Sequence, residues 1–318
     1  MQYTGVMKKH DLLAVGGVYV DITATDVPFG RDGLKIEAEL TGSSYEVVAG
    51  GSAPNFTRLC TVLGLSTVMI GKVGDDETGQ LLKKLLLESG IHSQLIVDST
   101  VSTNIGLNLV NDDGQAMMLS VGTANMALTA QEVLQHAEPL LADVTYLYLG
   151  SCLKLKRLLP TYETLAEHAQ ASNTRIIVDH GRLNVTTTEQ DRAMVRELVR
   201  HANYYFPSRD EFLELWNADS IESGLLSRDW GHTQVIVKDG VRGAIALAGD
   251  TLVHVPAYLV KPVNTVGAGD SFNAGVIVAL NDGANLETAM KYGCATAALK
   301  ISQPGLPDIS AIAVQMSS

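Results

Sequence analysis

Short apolar segments that alternate with helical patterns constrain the fold of this chain more than any other feature of its sequence. The first segment, residues 12–18, shows no alternation of apolar and polar residues, which is typical of a strand covered on both faces. The same pattern predicts further strands at 67–70, 145–149, 175–178, 203–206 and 234–237, with helices between them at 77–89, 162–171 and 190–202. This order predicts an α/β fold with a mostly parallel central sheet and helices on both of its faces.

Two segments, 32–48 and 104–121, interrupt this alternation. In the second, the apolar runs 105–110 and 115–121 flank Asn111-Asp112-Asp113-Gly114, a strong signal for a hairpin turn. Both segments are too short to form a core of their own, so we expect a small sheet beside the main one, acting as a lid or a dimer surface. An extension of the edge of the main sheet is the alternative. Because no linker or internal repeat divides the chain, residues 1–318 are predicted to form a single domain.

The net charge indicates which kinds of partner the protein can bind, and the cysteines indicate its cellular compartment. The chain has 23 Lys and Arg against 35 Asp and Glu, a net charge of −12, which argues against binding to nucleic acid or to an anionic membrane. No apolar stretch approaches the roughly 20 residues that cross a bilayer, and the N-terminus lacks the core of a signal peptide. The three cysteines (Cys60, Cys152 and Cys294) are far apart, which predicts reduced, buried thiols and a cytoplasmic protein.

The residues with the clearest chemical signal lie near the C-terminus, where Gly267-Ala268-Gly269-Asp270 precedes a helical run. Small side chains let this backbone approach a ligand closely, and the first turn of a helix presents free N–H groups and a partial positive charge. Such a segment predicts an anion hole suited to a phosphoryl group in transfer. A carboxylate at the same place can accept the proton of an attacking hydroxyl. The alternative is that Asp270 only caps its helix.

Residues 265–275 also resemble the C-terminal signature of the ribokinase-like (PfkB) family of carbohydrate and nucleoside kinases. The run Gly50-Gly51-Ser52-Ala53-Pro54-Asn55 resembles the N-terminal Gly-Gly-x-x-x-Asn segment of that family, and residues 71–79 are similar to the strand, turn and helix that follow it. The resemblance covers nearly the whole chain. It implies a ribokinase-like three-layer α/β sandwich with a small β lid, an ATP- and Mg²⁺-dependent kinase, and a homodimer formed through the lid.

The resemblance implies roles for two groups of residues on the side of the phosphoryl acceptor. Asp270 would be the general base, and Gly267, Ala268 and Gly269 would supply the anion hole. Asp21, predicted to follow the first strand, would accept hydrogen bonds from sugar hydroxyls, and Gly50, Gly51 and Asn55 would complete the acceptor pocket. A turn aspartate without a ligand is the alternative for Asp21.

For the nucleotide, two segments resemble the family, residues 206–211 and residues 237–243. The first departs from the family at Ser208, where Asn is usual. Ser208 and Glu211 occupy the place of an Asn-x-x-Glu motif, in which Glu211 would act indirectly on Mg²⁺. Lys238, Gly240 and Gly243 resemble the strand and turn that lie near ATP in these kinases. A solvated helix face is the alternative for Glu211, and a surface lysine is the alternative for Lys238.

Three further positions flank these motifs. Thr265 precedes the anion hole and is assigned to the nucleotide site. Asn264 stands where many family members have Asp in a loop that binds a monovalent cation, and the loss of that charge predicts weak or absent activation by K⁺. His180 and Arg182 follow a predicted strand and are candidates for contact with the acceptor, with a purely structural role favoured for His180.

The predicted function is ATP-dependent phosphorylation of a hydroxyl of a small sugar, as in ribokinase or fructokinase. An adenosine-type ribonucleoside kinase and a non-catalytic sugar- or nucleoside-binding relative are the alternatives, the latter resting on Ser208 and Asn264. A nucleotide-dependent dehydrogenase is disfavoured because Gly16-Gly17 is not part of a Gly-x-Gly-x-x-Gly turn. A P-loop kinase is excluded, since no Gly-x₄-Gly-Lys-[Ser/Thr] run occurs.

Overall fold

The computed structural model describes residues 8–30, 39–113, 116–303, 307 and 309–317. The strands within these residues are β1 (His10–Val15), β2 (Tyr19–Thr25), β3 (Ser44–Gly50), β4 (Thr67–Gly74), β5 (His92–Asp98), β6 (Ile105–Val110), β7 (Ala116–Val121), β8 (Val144–Gly150), β9 (Arg175–Asp179), β10 (Tyr204–Tyr205), β11 (Gln234–Lys238), β12 (Ala244–Ala248) and β13 (Thr251–Val255). The helices are α1 (Ser52–Val62), α2 (Glu77–Glu88), α3 (Ala124–Ala127), α4 (Ala130–Leu141), α5 (Leu159–Ala171), α6 (Glu189–His201), α7 (Arg209–Trp216), α8 (Ile221–Leu226), α9 (Ala268–Asn281), α10 (Leu286–Ser302) and α11 (Ile309–Met316). Two 3₁₀ turns lie at Cys152–Leu158 and Gly240–Arg242.

A nine-stranded sheet forms the centre of the molecule, in the order β13-β12-β11-β10-β9-β8-β1-β4-β5. The run from β11 to β5 is parallel throughout, and β12 and β13 are antiparallel at one edge. The predicted mostly parallel central sheet is therefore confirmed. Its carboxyl edge gathers the ends of β9 and β11, which is where ligands of open parallel sheets bind.

Helices cover both faces of this sheet because the residues of each strand point alternately to the two sides. In β1, Leu12 and Ala14 pack in a core with α1, α2, α9, α10 and α11, whereas Leu13 and Val15 pack in a second core with α4 to α8. All four side chains are fully buried. This two-sided burial explains why the sequence of β1 shows no alternation of polar and apolar residues.

The two interrupting segments contribute to a second, four-stranded sheet in the order β3-β2-β6-β7. β6 and β7 pair antiparallel, as predicted. β2 lies between β3 and β6 and pairs antiparallel with β3 and parallel with β6. The alternative of an extension of the main sheet is wrong, since these strands pair only with one another among the described residues. Residues 32–38 of the first predicted lid segment lie outside the described part of the chain.

The predicted strand over 12–18 is wrong at its end. β1 ends at Val15, the chain turns at Gly16-Gly17, and β2 begins at Tyr19 in the small sheet. A Cβ on Gly16 would lie 2.8 Å from the Cβ of Ala53, so the turn brings the chain closer to α1 than a side chain allows. The apolar run therefore spans two sheets.

The structure also bears on the state of the cysteines and on membrane-spanning segments. Cys60, Cys152 and Cys294 are buried and free, as predicted. Among the described residues, no helix has the length and apolar character that a membrane crossing requires.

Candidate active site

The start of α9 presents backbone N–H groups to a cavity. Gly267 precedes the helix with φ of 78°, a left-handed conformation that glycine adopts most readily, and its carbonyl accepts the first helical bond from Ser271 N–H at 2.9 Å. The N–H groups of Gly267, Gly269 and Asp270 have no hydrogen bond to any residue that the structure describes. The predicted segment thus offers convergent free donors at a helix N-terminus.

Asp270 lies in the first turn of α9, three residues after the cavity-lining Gly267, and its carboxylate is held by two side chains of α1. Ser52 Oγ donates to Asp270 Oδ1 at 2.7 Å, and Asn55 Nδ2 donates to Oδ2 at 3.3 Å. Burial raises the pKa of Asp270 to about 7, and the negative charge of Asp179 acts in the same direction. The helix-cap alternative is wrong, because the N-cap is Gly267 and the side chain of Asp270 bonds to another helix.

Asp21 lies across the same cavity, on the small sheet. Asp21, Asn55 and Gly267 all line this cavity, so the structure brings the predicted acceptor residues together with the start of α9. Asp21 is only 8% exposed and sits inside β2, directly opposite Gly106 of β6. Its predicted place after the first strand, and the turn alternative, are therefore wrong. Burial raises the pKa of Asp21, against the opposing effect of the hydrogen bond from Gly51 N–H.

Three glycines make room for this carboxylate and for the turn beside it. A Cβ on Gly50 would lie 1.9 Å from Asp21 Cγ, and a Cβ on Gly106 would lie 2.1 Å from its Oδ1. Gly51 has φ of 96°, and a Cβ there would lie 2.9 Å from the carbonyl oxygen of Gly17. The predicted glycines at 50 and 51 are thus explained by close approach, and Gly106 is a third that the motif did not include.

Lys238, at the end of β11, extends from the nucleotide side toward the start of α9. Its Nζ donates to Asp179 Oδ2 at 3.2 Å, and Asn273 Nδ2 donates to the same oxygen at 2.9 Å. A Cβ on Gly269 would lie 3.5 Å from Lys238 Nζ, so the ammonium is next to the free N–H groups. With its side chain 14% exposed, Lys238 is not the surface lysine of the alternative. Although burial opposes ionisation, the Lys238 ammonium keeps the pKa of Asp179 below its usual value.

A second cavity of about 600 Å³ opens on the other side of Lys238. It is lined by four of the residues assigned to the nucleotide, namely Ser208, Glu211, Lys238 and Gly240. Ser208 N–H donates to Glu211 Oε2 at 2.7 Å, which fixes this carboxylate at the first turn of α7. A fixed carboxylate and an ammonium group that line one space are a set of groups that fits a magnesium nucleotide.

Two of the residues assigned to the nucleotide, Gly243 and Thr265, line neither cavity. Gly243 has φ of 95°, and a Cβ there would lie 1.9 Å from the carbonyl oxygen of Val255, so packing against β13 accounts for this glycine. The carbonyl of Thr265 accepts a hydrogen bond from Ala268 N–H at 3.3 Å, which supports the turn before α9. Asn264 has a similar local role, since its Oδ1 accepts a hydrogen bond from Val266 N–H at 2.9 Å.

The segment after β9 divides between the core and the second cavity. His180 is fully buried and meets the ring of Tyr205 edge-on, as expected of a structural residue. Arg182 lines the second cavity, so the structure places it beside the residues assigned to the nucleotide and not beside those assigned to the acceptor.

Several residues of the site were missed from the sequence. Ser52 binds the carboxylate of Asp270, and Asn273 binds that of Asp179. Arg58 and Lys300 line the acceptor cavity. Ser52 and Arg58 lie three residues before and after Asn55, and helical spacing alone could have placed all of them on one face of α1. Nothing in the sequence near Lys300 connects it to the motifs.

Comparison with known proteins identifies the family and agrees with the fold. Residues 9–311 match the pfkB family carbohydrate kinase. The chain is 27% identical to a 5-dehydro-2-deoxygluconokinase of Listeria innocua, over 95% of this chain and 93% of that protein, and 24% identical to the ribokinase of Bacillus subtilis, over 93% and 96%. An Escherichia coli protein described as a ribokinase II, solved with ATP and Mg²⁺, superposes with a TM-score of 0.82 at 22% identity, covering 97% of this chain and 99% of that chain.

Proposed function

Because this chain belongs to the pfkB family of carbohydrate kinases, we propose that it transfers the terminal phosphoryl group of ATP to a hydroxyl of a small sugar. The observation that carries the proposal is the Asp270 carboxylate, held by Ser52 and Asn55 beside the free N–H groups at the start of α9. A base and an anion site within one turn of helix are the two groups that phosphoryl transfer to an alcohol requires.

In this mechanism the sugar lies in the cavity between the small sheet and α9. Asp21 accepts hydrogen bonds from sugar hydroxyls, and Asn55, from α1, lines the same cavity. Asp270 accepts the proton of the attacking hydroxyl, for which a pKa of about 7 is well matched near neutral pH. The free N–H groups of Gly267, Gly269 and Asp270 stabilise the negative charge on the phosphoryl oxygens in transfer. The Ala268 N–H, which the sequence also assigned to the anion hole, is instead bonded to the Thr265 carbonyl.

The nucleotide lies in the second cavity, with its phosphates directed toward Lys238. The ammonium, kept in place by Asp179, neutralises phosphate charge, and Glu211 is the residue that would hold Mg²⁺, directly or through its water ligands. When bound, Mg²⁺ supplies Lewis-acid neutralisation of the phosphate oxygens. Ser208 and Gly240 line the nucleotide cavity, whereas Gly243 and Thr265 act by shaping the turns around it.

The small sheet acts in this proposal as a lid over the acceptor and as the surface of a homodimer. It carries Asp21 on β2 and forms one wall of the cavity, so its position limits access of water to the sugar. The weak or absent activation by K⁺ predicted from Asn264 stays a prediction.

The test is release of ADP from Mg-ATP with a panel of sugars and ribonucleosides. We expect turnover with a sugar, and Asp270→Asn should lower kcat by about 10²–10⁴-fold with the fold retained, because the base is lost. Asp282→Asn, an exposed carboxylate at the other end of α9, is the matched control and should keep normal kcat.

Each other outcome identifies a different error. Turnover of adenosine but of no sugar would replace the sugar by a nucleoside. Binding of sugar without any ADP release would support the non-catalytic alternative. Near-normal kcat in Asp270→Asn would refute the assignment of the base.

A further inference from the structure

Two positively charged side chains line the acceptor cavity without a partner among the described residues. Arg58 comes from α1 and Lys300 from the last turns of α10, and they share the cavity with Asp21 and Asn264. Neither side chain has a hydrogen bond or an ion pair to any residue that the structure describes, and Nε of Arg58 is buried without a partner. Desolvated charges left unpaired in this way are destabilising, so their presence calls for a function.

No carboxylate in the described part of the chain forms an ion pair with either cation. The charges of Glu46, Asp21 and Asp270 act on Arg58 without direct contact and only partly offset the lowering of its pKa by burial. Glu46 is exposed at the rim of the cavity and forms no ion pair with a described residue. Asp21 already accepts hydrogen bonds from Gly51 N–H and from the Asn108 amide. Burial lowers the pKa of Lys300, and the nearby Arg58 guanidinium lowers it further, whereas Glu46 acts in the opposite direction. The two cations are thus close enough to repel each other.

The position of Arg58 relative to Asp270 indicates which end of a bound acceptor Arg58 would contact. Ser52, Asn55 and Arg58 follow one another at intervals of three residues on α1, and the first two bind the Asp270 carboxylate. At 1.5 Å per residue, Arg58 lies about 9 Å along the helix axis from Ser52. This separation is comparable to the length of an extended six-carbon sugar. An acceptor with one end at Asp270 therefore places its other end near Arg58.

We propose that Arg58 and Lys300 bind a negatively charged group at the end of the acceptor away from the phosphorylated hydroxyl, so that the substrate is an anionic sugar. This inference rests on the proposed function, because it assumes a sugar bound at Asp21 and Asp270. A guanidinium group can bind a planar carboxylate or a phosphate through two hydrogen bonds, and the ammonium of Lys300 adds a second charge. A sugar acid and a sugar phosphate share this chemistry.

Matched pairs of acceptors test the charge preference. ADP release is measured with six-carbon aldonic and keto-deoxyaldonic acids against their neutral aldose or alditol counterparts, and with hexose phosphates against the parent hexoses. We expect kcat/KM for an anionic acceptor to exceed that of its neutral counterpart by about 100-fold or more. Preference for the acid or for the phosphate identifies the anionic group. Equal or better use of neutral sugars would overturn the proposal.

Variants assign the preference to the two cations. Arg58→Gln and Lys300→Gln should each raise KM for the anionic acceptor by about 10–100-fold while kcat changes little, because the charge is remote from the reacting atoms. Arg200→Gln and Lys291→Gln, which remove exposed cations on α6 and α10, are matched controls and should leave KM unchanged.

A measurement of binding affinity, which needs no turnover, separates loss of the anionic contact from a folding defect in a variant. Calorimetric titration of the anionic acceptor into Asp270→Asn, with and without Arg58→Gln, should show the same 10–100-fold loss of affinity. If no sugar of either charge releases ADP, the proposed function fails. If a neutral sugar is phosphorylated as well as its anionic counterpart, or if Arg58→Gln and Lys300→Gln leave the KM and affinity of the anionic acceptor unchanged, only the anionic assignment fails.

Discussion

Asp270 meets two opposed requirements, since it must be ionised to accept a proton and yet is placed where ionisation is unfavourable. Burial and the charge of Asp179 raise its pKa to about 7, while hydrogen bonds from Ser52 and Asn55 and the charge of Lys238 act against this shift. The balance leaves a carboxylate far more basic than an exposed one. A general base is most effective when its pKa lies close to the working pH, so the unfavourable burial is useful for catalysis.

This pKa predicts the pH dependence of the reaction. The protonated acid cannot accept a proton, so kcat/KM should fall about tenfold for each pH unit below about 7 and level off above it. The measurement is kcat/KM from pH 5 to pH 9 under conditions in which the acceptor keeps one charge state. A profile that is flat through pH 6–8 would show that a group other than Asp270 limits the reaction.

The same shift predicts a change in stability with a defined sign. The folded-state pKa lies above the ordinary carboxylate value of 3.8, so ionisation of Asp270 destabilises the fold as the pH rises from about 4 to about 7. Asp270→Asn should therefore be more stable than the natural protein at pH 8, by about 1–2 kcal/mol, and no more stable at pH 4. Urea unfolding at both pH values measures this, and lower stability of the variant at pH 8 would contradict it.

Individual residues differ in how far the sequence could predict them. The motif residues Asp270 and Asn55 were placed together because the family resemblance carries them, and the structure brings them within hydrogen-bond distance. Arg58 and Lys300 were missed, because their meeting depends on the packing of α10 beside α1. Local patterns report the periodicity of one element, whereas a shared cavity depends on tertiary packing.

At the scale of whole elements, the strand β2 shows how a site can depend on the absence of side chains. Asp21 points into the cavity only because its neighbours on both sides, Gly50 of β3 and Gly106 of β6, leave space for its carboxylate. The apolar run 12–18 predicts a single strand, and Asp21 would then lie after that strand and not within β2. The break at Gly16-Gly17 was not predicted, since it results from the approach of α1.

The close approach at Gly106 predicts a coupling between β6 and β2. Gly106→Ala should lower the free energy of unfolding by about 1–3 kcal/mol, because its Cβ would overlap Asp21 Oδ1 at 2.1 Å. In an Asp21→Ala background the same change should cost much less, since the overlapping atoms are gone. Urea unfolding of the two single variants and the double variant measures this coupling.

Gly30→Ala is the control for this cycle, because a Cβ there meets no atom of a described residue within 4 Å. Its effect on the free energy of unfolding should stay within about 0.5 kcal/mol. An equal cost of Gly106→Ala with and without the Asp21 carboxylate would mean that the backbone, and not the carboxylate, requires glycine at this position.

At the scale of the whole molecule, the two sheets have different relations to solvent. The central sheet is covered by helices on both faces, as the unalternating strands predicted. The small sheet ends at β7, whose outer edge is not paired with another described strand. Met118, Leu119 and Val121 on this strand are 58%, 57% and 44% exposed. An apolar edge strand left open in this way favours association with another chain, and a second copy of the chain is the partner proposed above.

The proposed homodimer can be tested on this edge. Sedimentation equilibrium should give a mass twice the 33.9 kDa of the chain. Met118→Glu combined with Leu119→Lys should shift the mass to that of the monomer, because charged side chains on an edge strand oppose pairing with another strand. Leu87→Glu on α2, where the natural side chain is 75% exposed, is the matched control and should leave the dimer intact. A monomeric natural protein, or a dimer that persists in the double variant, would exclude association through β7. Because the same sheet carries Asp21, dissociation should also raise KM for the sugar more than KM for ATP.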